Sequence, residues 1–98
     1  MDNKSIEEEI IKKYQQDEKM MVLVFAQWCV NNDLNPVSLY EKAHPSQKDN
    51  TLLTEAIHLT VSKEEAGLIS DDTLLGVLSL YGNDELAFVV SKEMVKKR

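Results

Sequence analysis

Apolar residues near the start of the chain recur every four positions. Ile6, Ile10 and Tyr14 follow this spacing, which places them on one face of a helix whose other faces are polar. Ser5 and Glu8 have the spacing of a capping box, in which each residue satisfies a free backbone N–H at the start of a helix. We therefore predict a first helix that begins near Ser5.

Residues 20–30 form the most apolar segment of the chain. The segment is apolar nearly all round, which is typical of a helix with neighbours on every side, although its β-branched valines also fit a strand. The polar stretch 15–19 before it contains no helix breaker, so residues 5–32 form either one helix or two. We predict that residues 20–30 are the central helix and that the polar residues 31–33 end it.

Asparagine and proline indicate where the next elements begin and end. Asn35 followed by Pro36 is the typical start of a helix, with the cap first and proline at the first helical position. Pro45 predicts the end of that helix, and residues 46–50 read as a polar loop.

The segment 52–61 fits two kinds of structure. As a helix it brings five apolar side chains to one face, those of Leu52, Leu53, Ala56, Ile57 and Val61. Its second half also alternates between apolar and polar residues, as a half-buried strand does. We predict a helix, with a strand at 56–61 as the alternative.

Capping residues divide the rest of the chain into three helices. Ser62 and Glu65 have capping-box spacing and predict a short helix that ends at Ile69. Ser70, Asp71 and Asp72 predict the start of the next helix, with five apolar side chains inside, those of Leu74, Leu75, Val77, Leu78 and Leu80. Gly82 is placed to end it in the left-handed conformation, and Asn83 or Asp84 caps the last helix. The strand-prone residues 86–90 leave a terminal strand as an alternative.

Together these patterns predict an all-α fold, a compact single-domain bundle of five to seven short helices over residues 1–98. Three glycines and two prolines are too few for a turn-rich all-β architecture. An α+β fold with short strands near 56–61 and 86–90 is the alternative.

The amino-acid composition indicates which classes of partner are disfavoured and which cell compartment to expect. Seventeen acidic and eleven basic residues give a net charge of −6, which disfavours nucleic acid and anionic membranes as the main partner. Segment 20–30 is too short to cross a bilayer, and no basic region precedes it as in a signal peptide. The one cysteine cannot form an internal disulfide, so we expect a cytoplasmic protein.

Candidate reactive residues are few. Cys29 lies in the most apolar segment, where burial keeps a thiol protonated and inert. We expect His44, next to Pro45, to cap helix carbonyls and His58 to lie at the surface. The spacings of metal sites and of phosphate-binding loops are absent from the sequence, so we predict no catalytic residue, metal or cofactor.

Residues 62–80 faintly resemble a helix-turn-helix, a short helix and a tight turn followed by an apolar helix. A recognition helix needs basic or amide side chains for phosphates and bases. Here it would begin with Asp71 and Asp72 and contain no base. These acids disfavour nucleic acid, so a nucleic-acid-binding regulator is only an alternative function. A minor enzyme or ligand-binding domain is another alternative.

Charge is distributed unevenly along the chain. Residues 49–85 contain eight acids and one base, whereas residues 92–98 contain four bases and one acid. We predict a small non-catalytic interaction or regulatory protein that binds another, basic protein through this acidic region, because charge complementarity steers association. The predicted surface consists of Glu55, Glu64, Glu65, Asp71, Asp72, Asp84 and Glu85. Pairing of the basic tail with the acidic region of another copy would make a homodimer.

Overall fold

The computed structural model of the chain describes residues 18–47 and 50–97. All regular structure in these ranges is helical, which confirms the all-α prediction. The elements are α1 (18–31), α2 (Pro36–Ala43), a 3-10 helix (Pro45–Gln47), α3 (Thr51–Leu59), α4 (Lys63–Ala66), α5 (Asp71–Leu80) and α6 (Asp84–Lys96). The predicted helix start near Ser5 lies outside the described residues, as does the question of one helix or two over 5–32.

Side-chain caps explain why four of these helices begin where they do. Asn35, Ser70 and Asn83 accept hydrogen bonds from backbone N–H groups in the first turns of α2, α5 and α6, as predicted. Asn50 does the same for α3, through the N–H of Leu53, although the sequence pattern assigned Asn50 to a loop. The 3-10 helix overlaps the start of that loop.

The two predicted strand alternatives are wrong. In α6, Leu86 and Val90 are one helical turn apart and both fully buried, so packing overrides the strand preference of the segment. In α3 the helix continues to Leu59, because Leu53 and Ala56 bury one helical face. Thr60 then takes an extended conformation and ends the helix.

Two other local predictions are corrected. The helix predicted to end at Ile69 ends at Ala66, because Gly67 follows with a positive φ of 74°. The hydroxyl of Ser62 makes no capping hydrogen bond there. Leu80, predicted to be inside, is 80% exposed because it is about 200° around the helix from the buried Leu78. Gly82, as predicted, follows α5 with a φ of 67°.

Helix α1 lies at the centre of the core, as predicted for residues 20–30. Five of its side chains are fully buried, those of Val22, Phe25, Ala26, Trp28 and Cys29. Helix α6 packs against α2 and α5, and all three helices contribute buried side chains to one cluster with α1. None of the described helices combines the length and the apolar character that a membrane span requires.

Polar side chains at the carboxyl end of α1 join this helix to distant parts of the chain. We call the group the clamp; it consists of Gln27, Trp28, Asp71 and Lys97. The amide of Gln27 donates to the carbonyl of Val61 at 2.9 Å and accepts from its N–H at 3.0 Å. The Trp28 indole N–H donates to the carboxylate of Asp71 at 3.0 Å, and Lys97 Nζ lies 3.3 Å from the same oxygen. The clamp thus attaches the α3–α4 connection, the start of α5 and the end of α6 to α1.

Candidate functional site

A cleft of about 590 Å³ opens at the other end of the described part of α1. Three structural units meet there: the first turn of the described part of α1, the end of α2, and the turn between α5 and α6. Its lining residues are Glu18, Met21, His44, Leu80, Tyr81, Gly82, Asn83 and Glu85. The cleft therefore combines two carboxylates and an imidazole with apolar and aromatic groups.

The imidazole of His44 is oriented by Asn83. His44 Nε2 lies 2.9 Å from Asn83 Oδ1, which also accepts the N–H of Leu86 as the cap of α6. Because an amide oxygen only accepts, Nε2 is the donor, and in the neutral ring Nδ1 is the basic nitrogen. His44 caps α2 as predicted, because its backbone N–H donates to the carbonyl of Tyr40 at 2.8 Å, while its ring bonds the side chain of Asn83.

Tyr40 lies beside His44 with its ring buried. The two ring centres are 5.1 Å apart, and the ring of Phe25 lies 6.1 Å from that of Tyr40 on the core side. Asn50 donates to the Tyr40 hydroxyl at 3.1 Å. Burial raises the pKa of Tyr40, and the negative charge of Glu18 raises it further. The carboxylate of Glu18 thus acts on the interior as well as on the cleft.

Glu18 and Glu85 are both exposed, and neither forms an ion pair with any residue in ranges 18–47 and 50–97. Glu85 lies in the first turn of α6, where a negative charge complements the helix dipole. An exposed carboxylate without a cation is free to bind one. The cleft that they line can therefore accept a cationic group.

The seven acids of the predicted interaction surface do not lie on one face. Glu85 lines the cleft, and Asp84 is its neighbour in the sequence. Glu55 pairs with Lys19 at 3.6 Å near the start of the described part of α1. The remaining four lie on α4 and at the start of α5, at the end of α1 that carries the clamp, and Asp71 belongs to the clamp itself: Glu64, Glu65, Asp71 and Asp72. Trp28 lies ten positions after Glu18 along α1, a distance of about 15 Å, so the acids form two groups.

Asp71 differs from the other members of that set because its carboxylate binds a core side chain as well as a base, whereas Glu55 forms only an exposed ion pair. It accepts the Trp28 indole N–H and pairs with Lys97, whose Nζ also lies 4.8 Å from the centre of the Trp28 ring. These contacts give Asp71 a structural role. Asp72, its exposed neighbour, makes no such contacts within the described chain.

The other candidate reactive residues do not join the cleft. Cys29 is fully buried in the core, and burial together with the charge of Glu93 raises the pKa of its thiol to about 12. His58 is exposed on α3. No three His, Cys, Asp or Glu side chains of the described ranges converge as metal ligands.

Helix α4 bears on the helix-turn-helix alternative. It has four residues, about one turn, and α5 packs against α6. A helix-turn-helix needs two packed helices of useful length, with the second free to enter a groove. The start of α5 carries Asp71 and Asp72 and takes part in the clamp, so the geometry gives this alternative no support.

A groove of about 440 Å³ lies between α2 and α6 and carries mainly positive charge. It is lined by Lys42, Phe88, Val89, Lys92, Glu93 and Lys96. Lys96 donates to Glu93 at 2.9 Å, and this hydrogen bond lowers the pKa of Glu93. Lys92 Nζ lies 4.5 Å from the centre of the exposed Phe88 ring, a cation–π contact.

Sequence patterns missed most of the cleft. Asn83 is recognisable as a helix cap, but nothing local indicates that its oxygen also binds His44, 39 residues away. Glu18 and Met21 carry no signal, because their part in the cleft depends on how α1 packs against the α5–α6 turn.

Comparisons with known proteins bear on the whole chain rather than on the cleft. The model of the YxiS family matches residues 2–95. The protein named "Uncharacterized protein YxiS" from Bacillus subtilis (strain 168) is 50% identical over 82 residues, which are 83% of this chain and 85% of that protein. No solved structure matches the chain. The length of the family match and the identity to this relative show that the chain belongs to the YxiS family.

Proposed function

We propose that this chain is a small non-catalytic interaction protein of the cytoplasm whose cleft binds a lysine or arginine side chain of a basic partner protein. The observation that carries the proposal is the pair of exposed carboxylates, Glu18 and Glu85, on one concave surface without a cation from the described residues. A convex or flat acidic surface would attract a basic partner without selecting one of its side chains.

The remaining lining of the cleft suits a long basic side chain. Lysine and arginine have an apolar stem and a charged head, and they bury the stem against apolar surface. Met21 and Leu80 provide such surface, and the ring of Tyr81 can contact the cation through its π face. The net charge of −6 attracts basic proteins at longer range and so favours encounter.

A binding titration tests the proposal directly. The probe is an oligoarginine peptide, added to the full chain while backbone amide resonances are followed by NMR at low and at high salt. We expect the largest shifts at residues 18, 44 and 80–85, and weaker binding at high salt because salt screens exposed charges. Oligoglutamate is the control peptide and should produce no shifts there.

Matched variants separate the cleft from net charge. Glu18→Gln with Glu85→Gln should weaken binding of the oligoarginine peptide about tenfold or more, because two charge-assisted contacts are lost. Glu64→Gln with Glu65→Gln removes the same charge from the exposed α4 and should change binding about twofold or less. If the two double variants lose equal affinity for the oligoarginine peptide, the interaction is nonspecific charge attraction. That result would refute the cleft as the binding site.

A ligand-binding or enzymatic role is the second candidate, and the position of His44 favours it. An imidazole held by Asn83 in a cleft with two carboxylates is an arrangement that can exchange protons with a small molecule. His44→Gln decides between the candidates in a screen of small cationic metabolites by NMR. A compound that binds at the cleft and loses its affinity in His44→Gln, while oligoarginine binding persists, would favour this second role.

A further inference from the structure

One exposed stripe of α6 contains an acid, an aromatic ring, a base and an aliphatic residue in order. Asp84, Phe88, Lys92 and Val95 are all exposed, and their spacing places them within about 80° of one another around the helix. Phe88 is 63% exposed and Val95 is 68% exposed. Exposed apolar residues are common singly, but these two lie on the same stripe as charges of opposite sign.

The stripe is self-complementary about Phe88. Asp84 and Lys92 lie four residues before and after it, so each is about 6 Å from the level of Phe88 along the helix axis. If a second α6 runs antiparallel and crosses at Phe88, Asp84 of each copy lies level with Lys92 of the other, and the two Phe88 rings meet. The pairing of Asp84 with Lys92 then occurs twice and the contact between the two Phe88 rings occurs once, on the axis, as two-fold symmetry requires.

We infer that a second copy of this chain docks on this stripe, and that two copies form an antiparallel dimer about a two-fold axis at Phe88. Three observations favour this occupant: the charge complementarity of Asp84 and Lys92, the exposed ring between them, and the groove beside that ring. The groove, of about 440 Å³, has room for an aromatic side chain from the second copy. The inference does not depend on the cleft, because neither Asp84 nor Phe88 lines it.

Asp84 also complements the dipole of α6 within one chain because it lies in the first turn, whereas Lys92 lies before the last turn, whose base is Lys96. The dipole explains the position of Asp84, but it does not explain Lys92 or require Phe88 to be exposed between the two charges. It also predicts that exchanging the two charges harms the chain. The dimer predicts that exchanging them is tolerated, because each new pair still meets across the axis.

A charge exchange tests the dimer by sedimentation equilibrium of the full chain over a range of concentrations. We expect a reversible monomer–dimer equilibrium. Asp84→Lys and Lys92→Glu should each weaken dimerisation about tenfold or more, because each variant opposes like charges twice. The double variant should recover the original dissociation constant to within about threefold. Circular dichroism of each variant confirms that the helices are retained.

Glu64→Lys is the matched control, because it changes the charge as Asp84→Lys does but lies on the exposed α4. It should leave the dissociation constant within about twofold of the original value. A chain that stays monomeric at all concentrations, or a double variant as weak as either single one, overturns the inference. These outcomes are separate from those of the peptide titration, which reports on Glu18 and Glu85.

A cross-linking experiment locates the axis. In Phe88→Cys the two introduced thiols lie close to the axis and should form a disulfide under mild oxidation, because a disulfide needs Cα atoms within about 7 Å. In Val95→Cys each thiol is about 10 Å from the axis along the helix, so the pair is about 21 Å apart and should not cross-link. The native Cys29 is buried and does not interfere. Equal cross-linking of the two variants, or none of Phe88→Cys, would contradict an axis at Phe88.

Discussion

The two ends of the described part of α1 differ in whether their polar groups are already bound. In the clamp, Gln27 makes hydrogen bonds to both backbone groups of Val61, and Trp28 donates to Asp71. In the cleft, the carboxylates of Glu18 and Glu85 have no cation among the described residues. A bound polar group stabilises the fold, whereas an exposed and unpaired one is available to a partner. Substitutions at the two ends test this division between structure and binding.

The largest effect is expected at the centre of the clamp. Trp28→Ala removes a fully buried side chain and leaves a cavity, so the free energy of unfolding should fall by about 3–5 kcal/mol. Urea denaturation followed by circular dichroism measures the change. Leu68→Ala is the control: Leu68 is 94% exposed, and its truncation should change stability by about 0.5 kcal/mol or less.

The next effect concerns the amide of Gln27. Gln27→Leu keeps a similar volume but leaves the N–H and carbonyl of Val61 without their partner, which should cost about 1–3 kcal/mol. Hydrogen exchange gives a local readout: the amide of Val61 should lose protection while that of Val90, buried in α6, keeps more of it. Unchanged protection at Val61 would show that the Gln27 contact contributes little.

Asp71 and Asp72 form a matched pair at the start of α5. Asp71→Ala leaves the Trp28 indole N–H without an acceptor and should cost about 1–2 kcal/mol. Asp72→Ala removes the same charge from the same helical turn and should cost about 0.5 kcal/mol, the contribution of the helix dipole alone. Asp71→Asn keeps an acceptor for the indole and should fall between them. If Asp71→Ala and Asp72→Ala have equal effects in thermal unfolding, the clamp does not need this carboxylate.

The smallest effect on stability is expected in the cleft. Glu18→Gln and Glu85→Gln each remove an exposed charge that is not paired with a described residue, so each should change the free energy of unfolding by about 0.5 kcal/mol or less. The same variants should have the largest effect on oligoarginine binding. A substantial loss of stability in either variant would contradict the division between the two ends of α1.

The all-α class and most helix starts could be predicted from the sequence because their causes are local. A cap such as Asn35, Ser70 or Asn83 acts on N–H groups within three residues, so its effect can be read from neighbouring positions. The same local reasoning gave wrong results where tertiary packing decided the conformation of a segment or the burial of a side chain. The strand preference of residues 86–90 is overridden by burial of Leu86 and Val90, and the apolar Leu80 is left exposed.

The candidate site depends on contacts that no local pattern contains. His44 and Asn83 are 39 residues apart, and Gln27 and Val61 are 34 apart. The sequence by itself determined the helical class, the caps, the excess of negative charge and the burial of Cys29, because each follows from composition or from neighbouring residues. Only the tertiary structure decided that Asp71 is bound in the clamp while Glu85 lines a cleft. Both are acids in the first turn of a helix, and the packing of α1 against distant segments is what separates their roles.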